Sequence, residues 1–204
     1  MHDGLSPTIE QIYEAVAVAN EYEIQIRVML RVSAGFLFSL ETVRPLRDLL
    51  TVIKESGADG AVLGFLDRSG EIDFSALKQL GLGSLAMPWT FHRAIDSAEN
   101  YFTAWEKILF AISEEKLKIT QVLTAGAAQG MEKGLPNLLK IAKNPVACAL
   151  IMAGGGLREK HLSQLKDAGI SAFHVGSAVR RAGNWNEPVD VELVRKWVRL
   201  TKSQ

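Results

Sequence analysis

The stretch that decides the fold is Trp89–Asp96, which reads W-T-F-H-R-A-I-D. Its first half is apolar and its last positions are ionisable, as in the strands of a parallel α/β barrel, whose strand ends form the functional mouth. Alternation puts Thr90 and His92 on one face and Phe91 and Arg93 on the other. If Phe91 packs on helices, His92 points into the barrel. The alternative is that the arginine and aspartate of this stretch only pair with each other.

A second stretch, Ile24–Val32, shows the same alternation. Its aliphatic residues fall on one face, which in a barrel packs against helices. The opposite face carries Arg27 and Arg31, which are predicted to turn toward the lumen and its mouth. A loop over Ser33–Ser39 follows this predicted strand.

Strands and helices are predicted to alternate along the rest of the chain. The predicted helices are Pro7–Asn20 (with Ser6 as N-cap), Leu40–Ser56, Phe74–Leu80, Tyr101–Ile112, Leu135–Lys143, Glu159–Ala168 and Val189–Thr201. The other predicted strands are Gly60–Leu66, Ile119–Leu123, Val146–Met152 and Ser171–Val175. Such alternation indicates parallel βα units. A closed barrel needs about eight strands and about six are predicted, so we expect an incomplete TIM-type (β/α) barrel, α/β in class, without the first two strands.

Composition limits the functional classes. The 204 residues are 48% hydrophobic and are expected to form a single domain over residues 1–204. Basic and acidic residues number 23 each, and this neutrality argues against nucleic-acid binding. No stretch reads as a membrane span or a signal peptide. The single cysteine, Cys148, excludes an internal disulfide framework and indicates a cytoplasmic protein; it is predicted to be an inert buried thiol.

Two glycine-containing loops follow late strands. Gly154, Gly155 and Gly156 come after one strand, and Gly176 with Ser177 after the next. In barrels a phosphate often binds between two such loops, held by backbone N–H groups. Glycine suits that role because no Cβ blocks the anion. Glycine runs also serve as plain turns, so anion binding and turn formation stay alternatives.

Polar side chains from several strand ends are predicted to converge. Histidine can transfer protons near neutrality, and arginine binds carboxylate or phosphate, so we expect a small anionic or phosphorylated ligand. For either histidine alone, a core residue bonded to a backbone carbonyl is the simpler interpretation. The candidate catalytic residues are Arg31, His92, Arg93, Asp96 and His174, and the candidate binding residues are Thr124, Gly154, Gly155, Gly156, Gly176 and Ser177.

The residues themselves predict no metal site. The chain has no H-x-x-x-H or C-x-x-C pair, and one thiol is poor provision for a soft metal. Met29, Met87 and Met152 could supply thioethers, but methionines in strands are more often core residues.

Several motifs, in this order along the chain, resemble the CutC family, which is named for copper homeostasis. The quoted stretches are Gly4–Pro7, Val28–Arg31, Gly57–Gly64, Thr90–Ala94, Leu123–Gly126, Met152–Gly156 and Phe173–His174. The resemblance implies a cytoplasmic barrel of the triosephosphate-isomerase type, often dimeric and associated with copper, with no assigned reaction. Copper is implied as a ligand by this resemblance alone.

The resemblance also brings departures. The family usually carries a strand, a helix and a second strand, with an acidic residue and a cysteine, ahead of the Gly4–Pro7 position. Arg27 stands where the family usually has histidine, and one arginine after Arg31 is absent. We expect the open edge to be closed by a second copy of the chain, by the N-terminal helix, or by residues outside this sequence.

The sequence is compatible with three functions. The first is a copper-homeostasis protein that binds copper without catalysis. The second is an enzyme acting on a small phosphorylated or carboxylated metabolite, with His92 as acid or base and the arginines as anion ligands. The third is a family member that keeps the fold and has no chemistry. Whether the chain is an enzyme is therefore undecided by its sequence.

Overall fold

The computed structural model describes residues 4–81 and 87–202. The chain divides into two compact units, the first ending at Thr120 and the second beginning at Gln121. Helices and strands alternate along both, except that two helices, Met131–Ile141 and Pro145–Leu150, follow one another in the second unit. In the described ranges, no helix combines the length and apolar character needed to cross a bilayer.

The first unit contains three parallel strands in the order β1, β2 and β3. The strands are β1 (Arg27–Met29), β2 (Gly60–Leu63) and β3 (Trp89–Phe91). The helices are α1 (Ile9–Glu21), α2 (Leu40–Glu55), α3 (Phe74–Gln79) and α4 (Tyr101–Ser113). A short 3-10 helix over Arg93–Ser97 follows β3 directly.

The strand register gives the first unit one apolar face. Val28 lies beside Ala61, which lies beside Trp89, and Leu63 lies beside Phe91. All five residues are buried. Phe91 therefore packs in the interior, and the opposite face of the same strands carries both polar and apolar side chains.

The second unit continues the pattern with a further set of parallel strands. The strands are β4 (Ile119–Thr124), which begins at the end of the first unit, β5 (Ile151–Ala153) and β6 (Ala172–Phe173). The helices are α5 (Met131–Ile141), α6 (Pro145–Leu150), α7 (Leu162–Asp167) and α8 (Val191–Lys202).

The predicted strand over 146–152 is wrong in its first five residues, which belong to α6. Asn144 caps this helix by accepting hydrogen bonds from the N–H groups of Val146 and Ala147, and Pro145 occupies the first turn. Cys148 therefore lies on a helix and is half-buried rather than fully buried. Partial burial raises the pKa of its thiol, which keeps the sulfur protonated and unreactive.

The start of α1 also differs from the prediction. Thr8, not Ser6, is the N-cap, and it forms a capping box with Gln11. Strand β1 is shorter than predicted, and Ile24 before it is 62% exposed. Ser6 is consequently available for a different role, which concerns Arg31.

Candidate anion-binding site

On the opposite face of the first unit's strands, an arginine of β1 reaches across β2 to β3. Arg27 is half-buried, and its Nη1 donates a hydrogen bond of 2.8 Å to the hydroxyl of buried Thr90. A Cβ at Gly60 would lie 3.2 Å from Arg27 Cγ, so glycine there leaves room for the side chain. Arg27 and Thr90 therefore share a face, as the alternation predicted. Burial lowers the pKa of Arg27, but arginine stays cationic at physiological pH.

His92 lies just beyond β3 and is only 4% exposed. Its Nδ1 accepts a hydrogen bond of 3.2 Å from the N–H of Ala94. The neutral ring must then carry its proton on Nε2, a tautomer assigned from this hydrogen bond. A Cβ at Gly64 would come within 2.8 Å of Nδ1, so a larger residue there would displace the imidazole.

The charge state of His92 follows from its surroundings. Burial, and then the positive charge of Arg31, lower its pKa to about 3. Because a pKa of about 3 lies far below physiological pH, the ring is neutral there. The Nε2–H group is therefore a hydrogen-bond donor that carries no net charge.

We expect the stability of the protein to fall as the pH drops from about 6.5 toward 3, because the unfolded chain binds a proton on His92 and the fold does not. The slope from this residue approaches about 1.4 kcal/mol per pH unit. Denaturant unfolding of the unaltered protein and of His92→Phe at several pH values measures it. His92→Phe should flatten the slope; an equal slope in the two proteins would contradict the assignment.

Arg31 lies near His92 and is held by a loop between β1 and α2. Its Nε donates to the carbonyl of Gly35 at 3.2 Å, and its guanidinium lies 4.8 Å from the ring centre of Phe36. The Phe36 ring meets the His92 ring edge-on at 5.2 Å. Phe36 is itself fixed, since its carbonyl accepts a 2.8 Å hydrogen bond from the N–H of Leu66. One aromatic ring thus contacts both the cation and the neutral imidazole.

A small cleft opens beside Arg31 and Phe36. It is lined by Arg31, Gly35, Phe36 and Gly64, together with neighbouring residues of the same unit, and encloses about 10 Å³. That volume suits one water-sized group. An oxygen atom of a larger ligand would fit into the cleft, with the rest of the ligand outside.

Arg93 and Asp96 form an ion pair. Arg93 Nε lies 2.8 Å from Asp96 Oδ2, and the aspartate side chain is fully buried while that of the arginine is 35% exposed. Both lie in the 3-10 helix after β3, three positions apart, which brings the two groups together. The pairing proposed as the alternative interpretation is therefore present, and a catalytic role for either residue stays a prediction.

The remaining candidate residues belong to the second unit. Thr124 is fully buried; its hydroxyl accepts from the N–H of Gly126 and its carbonyl from the N–H of Gly154, both at 2.9 Å. A Cβ at Gly154 would lie 2.8 Å from the Cβ of His174. His174 itself is exposed at the end of β6. Close backbone packing accounts for the first glycine of the run.

The other glycines also have structural roles. Gly155 and Gly156 have φ angles of +89° and +83°, which favour glycine, and the Gly155 carbonyl accepts from the N–H of Met131 at 2.9 Å. A Cβ at Gly176 would lie 2.4 Å from the indole of Trp185. Ser177 begins a single 3-10 turn. Turn formation describes these loops, and anion binding by them stays a prediction.

Sequence reasoning missed three residues of the first unit. The sequence predicts only a loop over the stretch that contains Gly35 and Phe36, and it predicts a helix cap at Ser6. Neither spacing nor periodicity marks them, because each acts through contacts with Arg31 that only the fold creates.

The CutC family model matches residues 1–179. The chain belongs to the CutC family. It is 31% identical to the family protein CutC of Bacteroides fragilis strain YCH46, over 79% of this chain and 64% of that protein. It is 32% identical to the family protein CutC of Pasteurella multocida, over 84% of this chain and 68% of that protein. This chain thus spans about two thirds of the length of these relatives.

Solved structures show the fold of this CutC-family chain. A CutC protein from Streptococcus agalactiae, which carries a provisional copper-homeostasis name, has a TM-score of 0.74 at 22% identity, over 83% of this chain and 81% of that one. Thiamine phosphate pyrophosphorylase from Pyrococcus furiosus has a TM-score of 0.51 at 19% identity, over 97% and 80% of the two chains. The predicted α/β fold of the barrel type is confirmed.

Proposed function

We propose that this CutC-family chain binds a small anion, a phosphate or carboxylate group of a metabolite, at Arg31 and His92. The observation that supports the proposal is the pairing of an arginine with a buried neutral imidazole around one aromatic ring. The positive charge of Arg31 attracts an anion, and the Nε2–H group of His92 can donate a hydrogen bond to it from a ring whose orientation is already fixed. A buried site strengthens both interactions relative to water.

His92 acts in this proposal as a hydrogen-bond donor. Its Nδ1 is engaged by Ala94, and its pKa of about 3 makes it a weak base near neutrality. The general acid or base role that its residue type suggested would require a ligand that raises this pKa. Binding and orientation of an anion need no such change, so they are the function that the geometry supports best.

We expect replacement of Arg31 with methionine to weaken binding of inorganic phosphate roughly tenfold or more, because a hydrogen bond with a charged partner is lost. Isothermal titration calorimetry at constant ionic strength measures it. Arg44→Met is the matched control, since the Arg44 side chain is 93% exposed on α2 of the same unit. Equal affinity in the two variants would overturn the proposal, and no binding by the unaltered protein would favour a family member without chemistry.

Copper handling is the second candidate, supported by the name of the Streptococcus agalactiae protein. The donor set of this chain does not fit a resident copper ion. Across residues 4–81 and 87–202, no three His, Cys, Asp or Glu residues group as metal ligands. Cys148 Sγ lies 3.5 Å from the Ala168 carbonyl, and His92 Nδ1 is occupied. A Cu(I) competition titration tests the candidate, and uptake no better than that of free methionine would exclude it.

The proposal also covers the cellular location and the oligomeric state of the chain. A cytoplasmic location is supported by the single protonated thiol, which is stable in a reducing compartment. A homo-oligomer, in the simplest case a dimer, is supported by the position of β1 at one end of the first unit's strand order, because exposed strand edges are commonly covered. Light scattering after size exclusion tests the oligomer.

A further inference from the structure

Ser6 belongs to a short segment, Gly4–Pro7, that runs alongside the end of β1. Its N–H donates to the carbonyl of Arg31 at 2.9 Å, and its hydroxyl donates to the same carbonyl at 3.0 Å. The N–H of Arg31 donates back to the hydroxyl at 2.7 Å. Three hydrogen bonds therefore connect one serine to the backbone of one arginine, 25 residues away.

We propose that Ser6 is a positioning residue that fixes Arg31 for anion binding; this inference rests on the proposed function. The serine hydroxyl is donor and acceptor at once, which an alanine cannot replace. Arg31 lies two positions beyond Met29, the last residue of β1. The three hydrogen bonds from Ser6 hold the Arg31 backbone at this position.

The arrangement positions the guanidinium as well as the backbone. With the Arg31 backbone fixed, its Nε reaches the Gly35 carbonyl and its guanidinium lies over Phe36. Gly4 lies on the same side, since a Cβ built there would be 3.9 Å from Arg31 Nη1. Its φ of +64° favours glycine, so the segment is shaped to pass close to the cation.

The test compares Ser6→Ala with Ser6→Thr. Threonine keeps the hydroxyl, and its branched side chain suits the extended backbone that precedes Pro7. We expect Ser6→Ala to weaken inorganic phosphate binding about fivefold, the equivalent of one net hydrogen bond, and Ser6→Thr to restore it. Ser163→Ala, which removes an exposed helical hydroxyl in the second unit, is the control and should leave affinity unchanged.

A second readout needs no anion. The Nε–H proton of Arg31 lies near the Phe36 ring, so its NMR signal should carry a ring-current shift. Ser6→Ala should reduce that shift and Ser6→Thr should keep it. An unchanged Arg31 signal in Ser6→Ala, or unchanged phosphate affinity when Arg31→Met weakens it, would overturn the positioning role. If Arg31→Met leaves phosphate affinity unaltered while Ser6→Ala still moves the Arg31 signal, the anion function fails and the positioning of Arg31 stands.

Discussion

Replacing Gly134 with alanine is expected to destabilise the second unit by roughly 3 kcal/mol, the upper part of the usual range for overpacking. Gly134 is buried in α5 against the loop that follows β4. A Cβ at this position would lie 2.0 Å from the carbonyl oxygen of Ala125 and 2.5 Å from the nitrogen of Ala127. Both neighbours are backbone atoms, so no side chain can rotate away and the helix itself must move.

The direction of the stability change in Gly134→Ala distinguishes the effect of close packing from that of helix propensity. In an open helix, alanine is more favourable than glycine by up to about 1 kcal/mol. Lys133→Ala, at the adjacent exposed position, is the control and should change stability by less than about 0.5 kcal/mol. A Gly134→Ala protein as stable as the unaltered one would show that α5 does not pack this closely on the loop.

The reporters for this measurement are already present in the chain. Trp185 and Trp197 lie in the second unit, whereas Trp89 and Trp105 lie in the first. Fluorine NMR of 5-fluorotryptophan protein in rising denaturant follows all four rings separately. For Gly134→Ala the two second-unit signals should shift their transition to lower denaturant.

The faces of the strands in the first unit could be predicted from the sequence because alternation is a local property. Residues that alternate between apolar and charged, such as Val28 beside Arg27, have two fixed orientations once a strand forms. The strand pairing then brought Arg27 to Thr90, on the face predicted for both. The fold class followed from the order of such elements rather than from any one of them.

Alternation does not predict the structure of the stretch over 146–152. A short apolar run fits a buried strand and a buried helix equally well, since neither period is visible in it. The deciding signal lay just before it, in Asn144 and Pro145, which favour a helix start. The strand predicted from the run alone begins at Val146, five residues before the observed start at Ile151.

The candidate site was less predictable than the fold. Residue type identified Arg31 and His92, but not the loop and the serine that hold the arginine. Ser6 and Phe36 carry no charge and no repeated spacing, and each contacts its partner only after the chain has folded. Charge state was equally hidden, because the neutrality of His92 depends on burial and on a cation elsewhere in the unit.

Replacing Phe91 with alanine is expected to destabilise the first unit by about 3–5 kcal/mol, the cost of deleting a fully buried aromatic ring and leaving a cavity. Phe91 is completely buried in β3, 6.3 Å between ring centres from Trp89 and the same distance from His92. The Gly64 backbone also packs on it, because a Cβ there would lie 3.0 Å from the ring. Little can move in to fill the space.

Phe110→Ala removes the same ring from α4 of the same unit, where it is 58% exposed, and should cost less than about 0.5 kcal/mol. The signals of Trp89 and Trp105 report the unfolding of this unit in both variants. Because the Phe91 ring supports the backbone on which His92 is fixed, phosphate affinity should fall in Phe91→Ala even in the absence of denaturant. Equal stability of the two variants would mean that β3 is not the core of the first unit, and the orientation of His92 would then lose its physical cause.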